Sequence, residues 1–385
     1  MEVKKKIRLM ALVLMALPFA GMGGTPPLQD AGVKTTPVKT RPRVQIALLL
    51  DTSNSMDGLI NQAKATLWDL VNEFSYVRCR ERQVPDLEIA LYEYGNDGLS
   101  AGEGFIRQVL PFSRDLDEIS QRLFSLSTNG GEEFCGQVIQ SAMRQLQWSS
   151  NSGDLKFIFI AGNEPFNQGR IPYESVLENA AEQDVVVNTI FCGDYQLGVR
   201  TLWADGARRG RGDYTAIDHN RAIVHVKTPY DEVIIRLNQQ LNKTYIGYGR
   251  MGASRKQQQA AQDANAAEME EAVMVDRAVS KSSAFYSNES WDLVDAHARG
   301  KLDLAELDRE GLPGNLQQME TGELKAYLEA RRQERKAIQE DIQKANAKRA
   351  AYLSENRPEA ESGLQAALLK AVRKQAERKA FTWVQ

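Results

Sequence analysis

The chain has 385 residues, 42% of them hydrophobic, a formal net charge of −3 and three histidines. That length allows two or three domains, each with a real core. The charge balance argues against a global basic footprint for nucleic acid. His219, His225 and His297 are not grouped at ligand spacing, which argues against a histidine-based zinc site or a His-centred triad.

The first residues read as an export signal. Lys4, Lys5, Lys6 and Arg8 precede an apolar run from Leu9 to Ala20, too short for an ordinary membrane span. Small residues follow at Ala20, Gly21, Gly23 and Gly24, so a signal peptide over 1–24 is expected, with an uncleaved anchor as the other reading. No cysteine lies nearby for a lipoprotein anchor, and nothing after residue 30 resembles a transmembrane helix. An exported protein, periplasmic or extracellular, is expected, in a compartment where disulfides form. The cysteines are Cys79, Cys135 and Cys192, an odd number that leaves at least one unpaired within the chain. Residues 25–43, rich in Pro, Thr and Lys, read as a linker.

From 44 to 247 short apolar strands alternate with helical stripes. Val44–Leu50 is a buried strand, followed by a helix carrying Leu59, Ala63, Leu67, Leu70, Val71 and Phe74. Leu87–Tyr94 and Phe105–Leu110 read as strands and Leu116–Leu126 as a helix. Asn129-Gly130-Gly131 turns into a helix with Val138, Ile139, Ala142 and Leu146. Leu155–Ile160 and Val185–Phe191 are further apolar strands. The pattern predicts a doubly wound α/β fold, a mostly parallel sheet covered on both faces, with ligand sites at the carboxyl ends of its strands.

At the first such end stands Asp51-Thr52-Ser53-Asn54-Ser55. Asp51, Ser53 and Ser55, at i, i+2 and i+4, offer one carboxylate and two hydroxyls, hard oxygens suited to Mg²⁺, Mn²⁺ or Ca²⁺. The alternative is a metal-free turn in which Asp51 accepts backbone N–H bonds and the serines cap the next helix.

Beyond 253 a helical region extends to 385. Glu320 to Glu355 reads as one long helix whose 3–4 seam holds Leu324, Leu328, Arg331, Arg335, Ile338, Ile342, Ala345, Arg349 and Tyr352. Three arginines make a poor autonomous coiled coil, so docking on its own domain is the favoured reading. A last amphipathic helix carries Leu364, Leu368, Leu369 and Val372, with a basic end at Arg373, Lys374, Arg378 and Lys379 that reads as a solvated face, or as one touching acidic lipid or protein. Arg211-Gly212-Asp213 spells an adhesive tripeptide but sits where a strand begins, and Asn242 and Asn288 open glycosylation-type triplets.

The Asp-x-Ser-x-Ser turn resembles the metal-ion-dependent adhesion site of von Willebrand factor type A domains, over roughly residues 43–247. Ala161–Phe166 and Asn188–Gly193 resemble an exported bacterial branch of that family. The resemblance implies two further metal-shell groups, and this chain departs at both. Glu132 stands where the family has a threonine after Gly130-Gly131. Gly162 stands where the family has an aspartate, with Glu164 and Pro165 of that turn retained. The implied metal set is Asp51, Ser53, Ser55, Glu132 and Glu164. The fold would also bring Cys135 and Cys192 to one rim, implying a disulfide, with Cys79 at the opposite end and free. The implied function is non-enzymatic: a divalent cation presented to a protein partner whose acidic side chain completes the coordination shell. A scaffold with a dead metal turn and an interacting helical tail is the second reading. A metal-dependent hydrolase, with Glu133 or Glu164 as base, is the third.

Overall fold

The computed structural model describes residues 41–78, 83–220, 225–356, 364–379 and 381–383. The expected signal, most of the linker, and Cys79 lie outside them. Within Arg41–Gln385 the chain forms one compact unit.

The strands are β1 (Arg43–Asp51), β2 (Val77–Arg78), β3 (Asp86–Tyr94), β4 (Ile106–Ser113), β5 (Leu155–Gly162), β6 (Val186–Cys192), β7 (Arg211–Ile217) and β8 (Thr382–Trp383). The α/β part carries helices α1 (Asp57–Ser75), α2 (Leu116–Phe124), α3 (Cys135–Gln145), α4 (Tyr173–Glu182), α5 (Tyr195–Arg200) and α6 (Trp203–Arg209). The rest carries α7 (Asp231–Asn242), α8 (Gly252–Met269), α9 (Glu271–Lys281), α10 (Leu293–Ala298), α11 (Gly314–Gln317), α12 (Thr321–Asn356) and α13 (Leu364–Glu377). Among the described residues no helix is long and apolar enough to cross a membrane.

The main sheet has the order β4-β3-β1-β5-β6-β7. Only β4 runs antiparallel to its neighbour; the other pairings are parallel. Strand alternation sorts β1 into two cores. Val44, Ile46, Leu48 and Leu50 face α1, α2 and α13, while Ala47 and Leu49 face α3, α4 and Trp203. A strand buried on both sides reads as a continuous apolar run, which is why β1 and β5 were visible in the sequence.

The helical region docks on this unit. α7, which follows β7, packs on α9 and α12. The sheet face beside β6 and β7 is instead covered by α13, which also lies along α1. The α/β core therefore draws on residues well beyond 247. Arg373 pairs with Glu73 at 2.6 Å, Lys379 with Asp184 at 2.5 Å, and Lys374 with Asp213. Of the basic end, these three side chains are used inside the molecule. β8 pairs antiparallel with β2 and closes the same seam.

α12 lies along α7, α9 and α10 of its own chain, not against a coiled-coil partner. Two of its seam arginines are explained by buried carboxylates. Arg335 binds Asp292 and Asp295, each at 2.6 Å, and lies 4.2 Å from the Tyr245 ring centroid. Arg349 binds Asp231 at 2.9 Å and Asp276 at 2.8 Å. A third buried network joins α9 to α2 and α8: Arg277 pairs with Asp117 and Asp263, and Lys281 with Asp263. Burial holds the Lys281 ammonium down to about 8, despite the opposing pull of Asp263.

Candidate metal-binding rim

β1, β3 and β5 end side by side, with Asp51 opposite Tyr94 and Leu50 opposite Ala161. Their carboxyl ends form the rim on which Asp51 stands, fully buried at 0% exposure. Its Oδ1 accepts the Ser53 N–H at 2.7 Å. Its Oδ2, the Ser53 Oγ and the Asn163 Oδ1 are buried without a partner in good hydrogen-bond geometry, although Asp51, Glu133 and Ser53 stand within side-chain hydrogen-bonding reach of one another. Ser53 makes no side-chain cap to the short helix that follows, and α1 has no side-chain cap either. Of the metal-free alternative, the bond to Asp51 is present and the serine cap is absent. Orphaned buried oxygens are rare because each forfeits its hydration without replacement.

The second carboxylate is Glu133, which is 3% exposed, and not the expected Glu132, which is exposed. The extended segment after Gly131 alternates outward and inward, so the first glutamate faces solvent and the second faces Asp51. Gly131 lets this happen: a Cβ there would lie 2.7 Å from the Gly95 carbonyl carbon. Gly95 itself, at φ +76°, leaves the cradle open; a Cβ would fall 2.8 Å from Glu133 Cγ and 2.9 Å from Asp51 Oδ1.

Gly162 is where the family's aspartate was expected, and there is no space for one. A Cβ would collide with the Tyr94 hydroxyl and approach Asp51 Oδ2 and the Trp203 ring, each at 3.2 Å. Tyr94 fills that volume, donating its hydroxyl to the Ala161 carbonyl at 2.9 Å. The Glu164 side chain is also corrected. Its carboxylate is exposed and accepts from Gln168 Nε2 at 3.1 Å. The residue joins the rim through its backbone, whose N–H donates to Glu133 Oε2 at 3.3 Å. Ser55 is exposed; its Oγ accepts from Asn163 Nδ2 at 3.4 Å, and its carbonyl lies 3.1 Å from His219 Nε2.

Two carboxylates in one dry pocket oppose each other's ionisation. Burial, then the Glu133 charge, pushes the Asp51 carboxyl well above its ordinary range. Burial also raises Glu133. A divalent cation would relieve both costs at once. The donor set of Asp51, Glu133, Ser53 Oγ and Asn163 Oδ1 is all hard oxygen and fits Mg²⁺, Mn²⁺ or Ca²⁺. Among the described residues no group of three or more His, Cys, Asp or Glu converges to hold an ion, so the neutral oxygens matter.

The expected disulfide is absent. Cys135 and Cys192 are both free and buried, and they belong to cores on opposite faces of the sheet. Cys135 Sγ lies 4.0 Å from the Tyr94 hydroxyl, and burial raises both thiols. Asp213 of the adhesive-looking tripeptide is held by Lys374 and Gln375. Asn242 is committed to Asp263 and Lys281, and Asn288 is buried.

Glu133 and Asn163 as candidate oxygen donors, and Tyr94 and Gly95 as the residues that shape the pocket, were missing from the set read in the sequence. The inward parity of Glu133, two residues past the Gly-Gly turn, was the one available signal. With this geometry in hand, residues 45–197 match the family model of the von Willebrand factor type A domain. No curated protein matches the chain. Solved structures similar to it include the conserved hypothetical protein BatB from Bacteroides thetaiotaomicron, at 18% identity and TM-score 0.35, covering 46% of this chain and 90% of that one. A proximal thread matrix protein from the mussel byssus, with a zinc-occupied MIDAS motif, matches at 13% identity and TM-score 0.35, covering 46% of this chain and 42% of that one. The pilus adhesin SpaC from Lactobacillus rhamnosus GG, in its open conformation, matches at 12% identity and TM-score 0.34, covering 47% of this chain and 28% of that one.

Proposed function

We propose that this chain is an exported, non-enzymatic binding protein whose A-type domain carries a rearranged metal site. Asp51 and Glu133 supply the charge, Ser53 and Asn163 supply neutral oxygens, and a protein partner's carboxylate completes the shell. The observation that carries this reading is the buried Asp51–Glu133 pair, two carboxylates with Ser53 in hydrogen-bonding reach of both and no basic side chain paired to either among the described residues. Two protein carboxylates already neutralise a divalent ion. A third from the partner is therefore drawn in less strongly than at a site with one, and weak, reversible engagement follows.

The chain's own residues do the rest. Tyr94 and Gly162 exclude an aspartate from the β5 end, and Gly95 leaves room for Glu133 to enter from the opposite loop. The test is titration of Mg²⁺ and Mn²⁺ followed by calorimetry and thermal unfolding. Binding is expected in the wild type and in Glu132→Gln, weakened at least tenfold in Glu133→Gln, and lost in Asp51→Ala. Equal binding by wild type and Asp51→Ala rejects the site.

A further inference from the structure

Asn129-Gly130 is the one Asn-Gly pair in the 385 residues. It stands on the turn between α2 and α3, in the loop that delivers Glu133 to the rim. An asparagine before a glycine carries its own nucleophile: with no Cβ on the next residue, the backbone nitrogen can approach the side-chain carbonyl carbon. The fold leaves this pair in reach. The Gly130 N–H donates to Asn129 Oδ1 at 3.1 Å and, among the described residues, to no backbone carbonyl. The nitrogen therefore faces the carboxamide, whose carbon is one bond from that oxygen. Asn129 Nδ2, the group that would leave, makes no hydrogen bond among the described residues, and Asn129 is exposed to the water the reaction consumes.

The backbone on either side is clamped. The Asn129 N–H donates to the Thr52 carbonyl at 2.9 Å, and the Gly130 carbonyl accepts from the Asp97 N–H. Gly131 then packs on the turn after β3, where a Cβ would lie 2.5 Å from the Gly95 carbonyl oxygen. Two other exposed asparagines show the contrast. Asn151 has both ends of its carboxamide engaged, accepting from the Gly153 N–H at 3.0 Å and donating to Asp154 at 3.1 Å, and Ser152 follows it. Asn54 is followed by Ser55 within a single short helical turn.

We infer that Asn129-Gly130 is a self-modification site at the rim: in the folded chain Asn129 converts through a cyclic imide into aspartate and isoaspartate, and the isoaspartyl form releases the loop that carries Glu133. The Gly130 nitrogen bonds to Asn129 Cγ as the Cγ–Nδ2 bond breaks, and the nitrogen's proton leaves with Nδ2 as ammonia. Water then opens the ring. Attack at Cγ gives aspartate; attack at the main-chain carbonyl carbon of residue 129 gives isoaspartate, whose chain runs through Cβ and Cγ. Either product adds a carboxylate to a loop facing Asp97, whose Oδ2 lies 3.3 Å from where a Gly130 Cβ would stand. Only isoaspartate lengthens the chain, by one methylene between two backbone hydrogen bonds, so one of those bonds must open. The inference stands whether or not the rim holds a cation.

The test ages the full chain in neutral buffer, digests it with trypsin and follows the peptide 123–144, in which Asn129 is the one asparagine, by mass spectrometry. Isoaspartyl methyltransferase labelling identifies the isomer. Asn129 is expected to convert ahead of every other asparagine of the native chain. The conversion is expected to be lost in Asn129→Gln and to fall to the rate of the other asparagines in Gly130→Ala, whose Cβ meets only the exposed side chains of Asp97 and Asn54. Hydrogen exchange then compares the aged isoaspartyl fraction with Asn129→Asp: the amides of residues 97 and 129 are expected to lose protection in the first and keep it in the second. A native chain that retains Asn129 while the urea-unfolded chain converts it overturns the site, because the fold then shields the pair. Conversion no faster than at Asn54 or Asn151 overturns it as well. Equal protection in the isoaspartyl fraction and in Asn129→Asp overturns the release of the loop.

Discussion

Asp51 shows at the residue scale what an unneutralised carboxylate costs in a dry pocket. Its folded pKa is raised by burial and by Glu133 above the unfolded value. The native state therefore holds more protons than the unfolded chain between those two values, and stability falls as pH rises through that window, then levels. In chelator, Asp51→Asn removes this slope while keeping the acceptor for Ser53. The wild type is expected to lose stability relative to the variant from the ordinary carboxylate range upward, in urea unfolding followed across pH. Added Mn²⁺ is expected to reverse the order at neutral pH. Gly162 supports a second expectation. Gly162→Ala meets the Tyr94 hydroxyl and the Trp203 ring and is expected to destabilise by ~2 kcal/mol. Tyr94→Phe in the same chain recovers part of that loss, a coupling a double-mutant cycle measures. Asp51 was legible in the sequence because motif and apolar strand coincide. Tyr94 was not, because its role depends on a glycine one strand over, a through-space relation no spacing records.

Elements built around buried charge behave differently from those built on apolar stripes. α12 has arginines where a coiled coil would have leucines, and each of Arg335 and Arg349 meets two aspartates from helices or loops distant in sequence. Removing one partner leaves its carboxylates buried and unpaired. Arg335→Ala is expected to cost ~3–5 kcal/mol in denaturant unfolding, whereas Arg332→Ala on the exposed face is expected to change stability by less than ~0.5 kcal/mol. The helix itself was readable from its spacing. Its docking surface was suggested by the three arginines, but Asp231, Asp276, Asp292 and Asp295 carried no sequence mark as their partners. The disulfide failed for a related reason. Cys135 and Cys192 were expected at one rim, but Cys135 opens α3 in the core on one face of the sheet, and strand parity turns Cys192 of β6 into the core on the other.

For the whole molecule, the α/β pattern fixed the sheet and left open how it is covered. Most of the parallel strands were visible as apolar runs; β7, half-buried between exposed Arg211 and buried Ile217, was visible only at its start. The sequence boundary near 247 follows from the end of that alternation. It missed α13 because an amphipathic helix does not declare which sheet it covers. Leu364, Leu368 and Val372 of α13 join the core containing Leu48, Leu50 and Phe159. A chain ending after Asn356 is therefore expected to expose that face, bind a hydrophobic dye and lose its sharp thermal transition. A stable, dye-free 41–356 fragment would reject this role for α13.

The clasp between α13 and α1 joins residues 300 positions apart, Arg373 to Glu73. A ribosome building this chain has translated every strand of the main sheet before the helix that seals it exists. Until then the part of the sheet beside β6 and β7 lacks its cover, while α1 and α2 already protect the rest of that face.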